Sequence, residues 1–373
     1  MSWYNNIKLG ILSGVIHLGK GNFLFSLTNL FTIQRWNNRP AIIRFSEADN
    51  SFNTLFLSFL FKISEGQSIQ SIEDSLKWRF TRELPKIVLS DVSLQLKERI
   101  ERFSPQVWKE VTEKSIQDLR KLSDEETVDF LVSSIKENPL DKIADLYVSY
   151  LEAYENGKLF DYSQPLKELE EKIEKIENYF GKEKSDKLWD TAKYSWPAIL
   201  NLTSMVRWNR THRNVRTTVS GHSFLVVTIA YLIAKLYKFE NIEEVILKSV
   251  LHDLPEAFTG DVITPTKKKV PGLEELVNVV EREMIKEWIN GNENVKPLEN
   301  YVEYCIEPFS GDSGRIVRTA DYFAALLECA VEVHSGNRLD VFRDSFFTFK
   351  KLIKEISPID VSEWIDEIEA LIL

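Results

Sequence analysis

The chain has 373 residues, of which 43% are hydrophobic and 28% charged, and its formal net charge is −10. This composition is typical of a globular protein with about two domains, and the acidic balance argues against a broad surface for long nucleic acid.

Cys305 and Cys329 form no CxxC motif and are interpreted as reduced, buried thiols. The first residues lack the pattern of a signal peptide, and no apolar run is expected to reach the ~18–20 residues of a membrane helix, so a cytoplasmic protein is expected.

Helical periodicity dominates the chain. In the N-terminal half, apolar residues recur at i, i+3 and i+4 in DEETVDFLVSSIKE and DKIADLYVSYLEAYENG. In the C-terminal half, the same pattern recurs in NIEEVILKSVLHD, GLEELVNVVEREMIKEWI and SGRIVRTADYFAALLECAVEVHSGN, the last stopped by Gly336 and Asn337. Period-two alternation between hairpin turns is missing, so the sequence predicts an all-α fold.

A charged segment separates the two halves. PLKELEEKIEKIENYFGKEKSDK (165–187) carries opposite charges at i, i+4 spacing, which predicts a solvated connecting helix. We expect a domain boundary within 165–185 and divide the chain into domains 1–175 and 176–373.

Three blocks of the first half recur in the second half in the same order. NLFTIQRWNNRPAIIRFSEADNSF (29–52) aligns with NLTSMVRWNRTHRNVRTTVSGHSF (201–224) at an offset of 172 residues. RELPKIVLSDV (82–92) aligns with HDLPEAFTGDV (252–262) at an offset of 170, and ADLYVSYLEA (144–153) with ADYFAALLEC (320–329) at 176. A slowly drifting offset predicts a duplicated domain with insertions and deletions in its loops.

Four residues of the second half are candidate ligands of a divalent cation, which suits imidazole and carboxylate donors: His222, His252, Asp253 and Asp321. The adjacent His252 and Asp253 cannot face one side of a regular helix. Pro255 ends that helix, however, so local geometry can turn both inward. Asp321 lies beside a buried apolar stripe, where a carboxylate without a partner is costly.

Taken one at a time, these residues also have structural interpretations. A single histidine in a helix is most often a cap or a satisfied core residue, and Asp321 could pair with Arg315 or Arg318. Trp208 could equally be a core residue, and the lysines of 267–269 are typical of a solvated loop. The residues become informative only as a set.

As a set, the H…HD…D pattern resembles the HD-domain metal-dependent phosphohydrolases. RWNRTHRNVRTTVSGHSFLVVTIAYLIA and HDLPEAFTGDVITPTK narrow the resemblance to the HD-domain 5′-deoxynucleotidases over about 200–340. The matching residues are Arg207, Trp208, His222, Ser223, His252, Asp253, Glu256, Gly260, Asp261, Thr264, Pro265 and Asp321. Gly221 departs from the family pattern, which usually has an acidic or similar residue there. We expect this to be tolerated because the position is not a ligand.

The resemblance implies one divalent ion, such as Mn²⁺, Co²⁺, Mg²⁺ or Zn²⁺, held by His222, His252, Asp253 and Asp321. A single ion is favoured because the chain has only 5 histidines and Glu256 is not a further histidine. Glu256 is then expected to polarise water or shuttle a proton. Asp261 is expected close to the leaving oxygen and the sugar.

The resemblance also implies a small-molecule substrate, a nucleoside 5′-monophosphate with preference for the deoxy form. Arg207 matches the phosphate-binding arginine of the family, whose planar fork suits phosphate oxygens. Trp208 offers a flat wall near the sugar, and Lys267 adds positive charge. Two other functions stay open: another HD reaction on nucleoside triphosphates, cyclic nucleotides or single-stranded nucleic acid, and a catalytically silent nucleotide-binding or assembly protein. The complete ligand set argues against the silent protein.

The first half lacks this ligand set. Asn50 stands opposite His222, Arg82 and Glu83 stand opposite His252 and Asp253, and Lys86 stands opposite Glu256. Only Asp91 and Asp145 keep the carboxylates of Asp261 and Asp321. The sequence therefore predicts a degenerate HD-like domain without metal, and the family's homodimers imply that the two bundles pack as an internal pseudo-dimer. A scaffold role is favoured over a regulatory pocket in which Arg35, Trp36, Arg82 and Lys86 bind a phosphate ligand; further oligomerisation is left open.

Overall fold

The computed structural model describes residues 19–68, 70–89, 92, 94–132, 135, 137–260 and 269–373. Regular structure in these residues is helical, and their β contacts are two isolated bridges, Gln34–Ser46 and Val206–Thr218. The predicted all-α fold is confirmed. Both cysteines are free and buried, as the sequence indicated.

The helices of the first half are α1 (Lys20–Leu27), α2 (Asn29–Thr32), α3 (Glu47–Ser64), α4 (Ser71–Glu83), α5 (Lys86–Leu89), α6 (Leu94–Phe103), α7 (Pro105–Leu122), α8 (Glu125–Leu131), α9 (Pro139–Gly157) and α10 (Ser163–Phe180). Those of the second half are α11 (Lys182–Ser204), α12 (Val219–Tyr237), α13 (Ile242–Leu251), α14 (Glu256–Thr259), α15 (Leu273–Asn290), α16 (Val302–Ile306), α17 (Gly311–His334), α18 (Asp340–Ile356) and α19 (Ser362–Ala370), with a 3₁₀ helix, Lys296–Tyr301, before α16. The break between α10 and α11 lies at Gly181, whose φ of +81° suits glycine. It falls within the predicted range 165–185, whereas the domain limits themselves stay a prediction.

Helices α3 and α12 form the centre of the molecule and pack against each other. Helix α9 covers α3 and α17 covers α12, so each half contributes a similar helix pair to one continuous core. Apolar residues occupy nearly the whole circumference of α12, which is expected of a helix surrounded by other helices. Any side chain near the start of α3 or α12 is therefore placed deep inside the protein.

Helix α12 corrects one expectation about apolar runs. Its 19 residues, Val219–Tyr237, are long and apolar enough to cross a membrane by length and composition. In the folded chain, however, 89% of that apolar window is buried inside the protein. The helix is a core element whose apolar length reflects burial on all sides, and the cytoplasmic location stays a prediction.

Several local backbone features recur in the two halves at the offset of 172 residues. Trp36 and Trp208 both have positive φ, +52° and +59°, which is uncommon for a bulky residue. Each tryptophan lies in the turn closed by one of the two isolated β-bridges. Ser46 and Thr218 cap α3 and α12 by accepting a backbone N–H three residues later. The two turns and the helix starts that follow them thus share the same local design.

Candidate metal centre

Three of the predicted ligands lie together at the start of α12 and in the turn between α13 and α14. The candidate ligand atoms of His222, His252 and Asp253 all lie within 4.8 Å of one another. His222 is fully buried in the first turn of α12, whereas Asp253 keeps 16% of its side chain exposed. Helix α13 ends at Leu251, and His252 and Asp253 lie in the turn that contains Pro255, although His252 keeps helical backbone angles of φ −60° and ψ −34°.

The donor atoms of this cluster fit a divalent ion. His252 Nδ1 lies 2.7 Å from the carbonyl oxygen of Ser249 and must donate to it, so Nε2 carries the lone pair. This Nε2 and Asp253 Oδ2 lie 3.2 Å apart, and both are buried without a hydrogen-bond partner. Buried polar atoms are normally satisfied, and an imidazole held through its other nitrogen is typical of a metal ligand.

Asp321 lies beside this three-residue cluster. Its Oδ1 is 3.1 Å from His222 Nε2, and its Oδ2 is 3.5 Å from Arg318 Nη1. The alternative pairing with Arg318 is therefore present together with the histidine contact. Burial raises the pKa of the Asp321 carboxyl, but His222 outweighs burial and holds that pKa below its usual value. Asp321 thus adds a negative charge at the edge of the cluster.

Glu328, which the sequence analysis did not identify, lies behind the cluster on α17. It is fully buried, and its Oε1 is 2.8 Å from His222 Nδ1. Its Oε2 accepts a hydrogen bond from Trp208 Nε1 at 2.7 Å, and Arg207 Nε lies 3.2 Å from Oε1. Burial raises the pKa of the Glu328 carboxyl, but Arg207 and His222 outweigh burial and lower it well below its usual range.

Two signals in the sequence could have revealed Glu328. It follows Asp321 by seven residues and so lies on the same face of a helix. It also aligns with Glu152 in the repeated block ADLYVSYLEA/ADYFAALLEC, where a glutamate stands in an otherwise apolar stretch of both halves.

The charges around His222 favour a bound cation. Burial and Arg207 lower the pKa of the His222 imidazole, but Glu328 and Asp321 outweigh them and raise it to about 9. The Asp253 carboxyl is buried, which raises its pKa, yet the two histidines and Arg207 hold that pKa well below its usual range. The carboxylates therefore stay charged and attract positive charge to the histidines.

Two of the predicted substrate-binding residues, Arg207 and Trp208, lie in the same region. Arg207 Nη1 lies 3.9 Å from Asp253 Oδ2, and 18% of the arginine side chain is exposed. Trp208 is half-buried and packs against Phe342 and Phe349. It is therefore partly a core residue, which was the alternative role considered for it from the sequence. Glu256 is half-buried at the start of α14, four residues after His252. Asp261, Thr264, Pro265 and Lys267 lie outside the described residues.

The departure from the family pattern at Gly221 has a local reason. Gly221 and Asp49 occupy equivalent positions of α12 and α3 and face each other where the two helices cross. A Cβ on Gly221 would lie 3.2 Å from Asp49 Oδ1 and 3.3 Å from the Phe31 ring. Asp49 is buried and accepts a hydrogen bond from Thr218 Oγ1, and burial raises its pKa. An acidic residue at 221 would place a second carboxylate against this one.

At the equivalent positions of the first half, an arginine occupies the centre. Arg79 is 1% exposed, and it donates to Asp145 Oδ1 and to Glu83 Oε1, both at 2.8 Å. The Asn50 side chain, oriented with its oxygen toward the guanidinium groups, accepts from Arg79 Nη2 at 3.0 Å and from Arg35 Nη1 at 3.2 Å. The sequence analysis missed Arg79 because it aligns with Ser249, which is not a ligand position.

The remaining charges of this region are also paired. Lys86 Nζ lies 2.8 Å from both Glu83 Oε2 and Glu47 Oε2. Arg82 Nη2 lies 3.1 Å from Asp145 Oδ2, and Arg35 Nε donates to Glu152 Oε2 at 3.0 Å. We call these residues the ion-pair cluster; its members are Arg35, Glu47, Arg79, Arg82, Glu83, Lys86, Asp145 and Glu152. Its four cationic side chains are matched by its four carboxylates.

Buried histidines and carboxylates thus lie together on the all-α scaffold of the second half. Residues 196–370 match the family described as YfbR-like 5′-deoxynucleotidases. This match spans just under half of the chain, confirms the resemblance seen in the sequence and supports a hydrolase.

Individual relatives cover part of the chain. A 5′-deoxynucleotidase of Photorhabdus temperata is 32% identical over 136 residues, which is 34% of this chain and 66% of that protein. A 4′-phosphooxetanocin A phosphatase of Priestia megaterium is 28% identical over 145 residues, 38% of this chain and 73% of that protein. The chain thus spans about two thirds of the length of the curated relatives that it matches. An HD-domain phosphohydrolase structure from Listeria innocua matches with a TM-score of 0.39 and 21% identity, covering 48% of this chain and 85% of that one.

Proposed function

We propose that this protein is a metal-dependent phosphomonoesterase that removes phosphate from nucleoside 5′-monophosphates, with preference for the 2′-deoxy form. The observation that carries the proposal is the cluster of His222, His252 and Asp253, with two buried donor atoms that lack hydrogen-bond partners. A partly exposed arginine lies beside it. The names of the two relatives, a 5′-deoxynucleotidase and a 4′-phosphooxetanocin A phosphatase, support removal of a phosphate group.

His222, His252, Asp253 and Asp321 would hold the divalent ion. Such an ion supplies Lewis acidity, which lowers the pKa of water and offsets negative charge on the phosphoryl group. The two imidazoles and two carboxylates are a donor set that Mn²⁺, Co²⁺ or Zn²⁺ accepts.

The other side chains bind, orient and move protons. Arg207 uses Nε for Glu328, which leaves its Nη groups to donate to phosphate oxygens. Glu256, one helical turn beyond His252, takes the proton from the attacking water. Trp208 forms an apolar wall for the sugar, where a 2′-hydroxyl is disfavoured. Asp261 and Lys267 keep their predicted roles near the leaving oxygen and the phosphate.

A substrate panel tests the proposal. Phosphate release would be measured with Mn²⁺, Co²⁺, Mg²⁺ or Zn²⁺ on 2′-deoxyadenosine 5′-monophosphate, its ribose counterpart, a triphosphate, a cyclic nucleotide and a short oligonucleotide. We expect a higher kcat/KM for the deoxy monophosphate than for the other compounds. Turnover of the triphosphate, cyclic nucleotide or oligonucleotide alone would replace the proposed reaction with another hydrolysis. Absence of turnover with every metal would favour a silent nucleotide-binding protein.

We further propose that the first half is a degenerate copy that packs on the second half as an internal pseudo-dimer, with domains 1–175 and 176–373. The shared turns and caps at the offset of 172 residues support the duplication. The packing of α3 on α12 supports the pseudo-dimer, and α3 also contacts α11, where Asn53 Nδ2 donates to Thr203 Oγ1 at 3.0 Å.

The balanced ion-pair cluster supports a scaffold role over a regulatory phosphate site. Its arginines and Lys86 already have carboxylate partners, so a phosphate would have to displace them. Calorimetric titration of the full chain carrying Arg207→Ala with 2′-deoxyadenosine 5′-monophosphate tests this role. We expect a single, weakened site that is unaffected by adding Arg82→Ala. Binding that survives Arg207→Ala and disappears on adding Arg82→Ala would establish a regulatory pocket instead.

A further inference from the structure

We infer that Glu328 is a positioning residue that fixes the tautomer of His222 and links this histidine to the Arg207–Trp208 pair. The inference rests on the proposed metal site and deepens it, because it names the side chain that connects the metal ligands with the substrate-binding residues. Glu328 itself lies behind these residues and acts through them.

The first step concerns the proton on the His222 ring. A carboxylate only accepts hydrogen bonds, so His222 Nδ1, 2.8 Å from Glu328 Oε1, must carry a proton. In the neutral ring the lone pair is then on Nε2, the nitrogen that faces Asp321. Only a deprotonated nitrogen can bind a metal ion. The buried carboxylate thereby selects the tautomer that a ligand requires.

The second step concerns the other donors on Glu328. Trp208 Nε1 donates to Oε2 at 2.7 Å, and Arg207 Nε lies 3.2 Å from Oε1 and 3.3 Å from Oε2. Three donors from three side chains thus converge on one carboxylate that is 0% exposed. A displacement of this carboxylate would move the ligand and the substrate-binding pair together.

An amide cannot replace this carboxylate. Glutamine has one accepting oxygen, and its NH₂ group would face either His222 Nδ1 or Trp208 Nε1. In the first orientation Nδ1 must accept, which moves the ring proton to Nε2 and blocks the ligand atom. In the second orientation two N–H groups oppose each other in a buried site, which is unfavourable.

The chain supplies a matched control at Glu152. This glutamate is also 0% exposed and accepts from Arg35 Nε at 3.0 Å, but its Oε1 accepts from the backbone N–H of Phe45 at 3.1 Å. Asn50 stands where His222 stands in the second half, so Glu152 holds no imidazole. A Glu152→Gln substitution disturbs a similar buried arginine contact without touching a ligand.

The experiment measures Co²⁺ binding to the full chain without nucleotide, by calorimetry and by the visible absorption of the bound ion, with thermal unfolding of each variant. Glu328→Gln is expected to raise the Kd for Co²⁺ about 10–100-fold and to alter the absorption bands. Glu152→Gln is expected to lower Tm and to leave that Kd within about twofold of wild type. A Kd for Glu328→Gln within about twofold of wild type, or equal weakening by both variants, would show a structural role only.

If Glu328→Gln does not fold, Glu328→Asp gives the same test. Its shorter side chain withdraws the carboxylate from His222 Nδ1 by about one carbon–carbon bond, so weaker Co²⁺ binding is expected. An unchanged Kd in a folded Glu328→Asp variant would overturn the inference. The Co²⁺ Kd values are compared without nucleotide, so they test the role of Glu328 even if the wild type releases no phosphate. Absence of phosphate release would contradict only the proposed function.

Discussion

The two halves of this protein differ in the chemistry of their buried polar residues at aligned positions. The second half has candidate metal ligands there, and the first half has ion pairs centred on an arginine. Around His222 and His252, donor atoms are held in place but left without hydrogen-bond partners, and the surrounding carboxylates favour a cation. Around Asn50, the guanidinium of Arg79 fills the centre and pairs with Asp145 and Glu83. In the first half, the central cation is thus an arginine side chain, whereas the proposed site of the second half would take a metal ion from solution.

Under the proposed duplication, this difference explains how a metal site is lost while the fold is retained. Removing the histidines alone would leave Asp145 as a buried carboxylate without a partner, which costs several kcal/mol. Arg79 and Arg82 neutralise this carboxylate, and Lys86 does the same for Glu83. The packing of α9 on α3 can then persist without a metal ion.

The largest difference between the halves is expected from paired substitutions at Asp253 and Glu83. Asp253→Asn removes a charged ligand and is expected to lower kcat/KM by about 10³-fold or more, because the metal supplies several kcal/mol of transition-state stabilisation. Glu83→Gln, at the equivalent position, should leave kcat/KM unchanged in the folded protein. Phosphate release from 2′-deoxyadenosine 5′-monophosphate at saturating Mn²⁺ is the measurement, and equal losses in both variants would remove the distinction between the halves.

A large loss of stability is expected from Arg79→Met. Asp145 and Glu83 would each lose a buried partner, at a cost of about 3–5 kcal/mol in the free energy of unfolding at pH 7. Urea denaturation of wild type and variant measures this cost. A cost below about 1 kcal/mol would mean that Arg79 does not hold the cluster together.

The cost of Arg79→Met should also depend on pH. Burial raises the pKa values of Glu83 and Asp145, but the neighbouring cations outweigh burial and lower both, that of Glu83 to about 2. Groups with a lowered pKa stabilise the fold above their unfolded pKa of about 4, and this stabilisation is lost as pH falls toward the folded value. The difference between wild type and variant should therefore shrink as pH falls from about 4 toward about 2. A constant difference would mean that these carboxyls are not the partners that matter.

Paired substitutions at Arg207 and Arg35 test the substrate side of the comparison. Arg207→Ala removes charge-assisted hydrogen bonds worth about 1.5–3 kcal/mol and is expected to raise KM about 10–100-fold, with a smaller fall in kcat. Arg35→Ala should change only stability. Steady-state kinetics, measured below the melting temperatures of both variants, test these expected changes in KM and kcat. A fall in kcat with unchanged KM would assign Arg207 to turnover and not to substrate binding.

The smallest effect is expected at the crossing of α3 with α12. Gly221→Asp restores an acidic residue but places it against the buried Asp49. In a double-mutant cycle with Asp49→Asn, we expect a repulsive coupling of about 1 kcal/mol, measured by urea denaturation. Additive effects of the two substitutions would show that Gly221 is not an accommodation to Asp49.

The helical class and the positions of the site residues follow from local signals. The 3.6-residue period predicts α13 and α17, Gly336 ends α17, and Pro255 explains the turn that holds His252 and Asp253. Arg79 and Glu328 could not be read in the same way, because Arg79 contacts Asp145, 66 positions away, and Glu328 contacts His222, 106 positions away. Their burial depends on the packing of several helices, which no local pattern specifies.

A count of metal ions bound per chain tests the central claim most directly. The full chain would be loaded with Mn²⁺ or Co²⁺, freed of excess metal and analysed by elemental analysis, alongside His252→Ala. The comparison of the two halves predicts about one ion per chain, retained in Glu83→Gln and lost in His252→Ala. Two ions per chain would contradict the closed ion-pair cluster of the first half, and an ion that survives His252→Ala would contradict the site assigned to the second half.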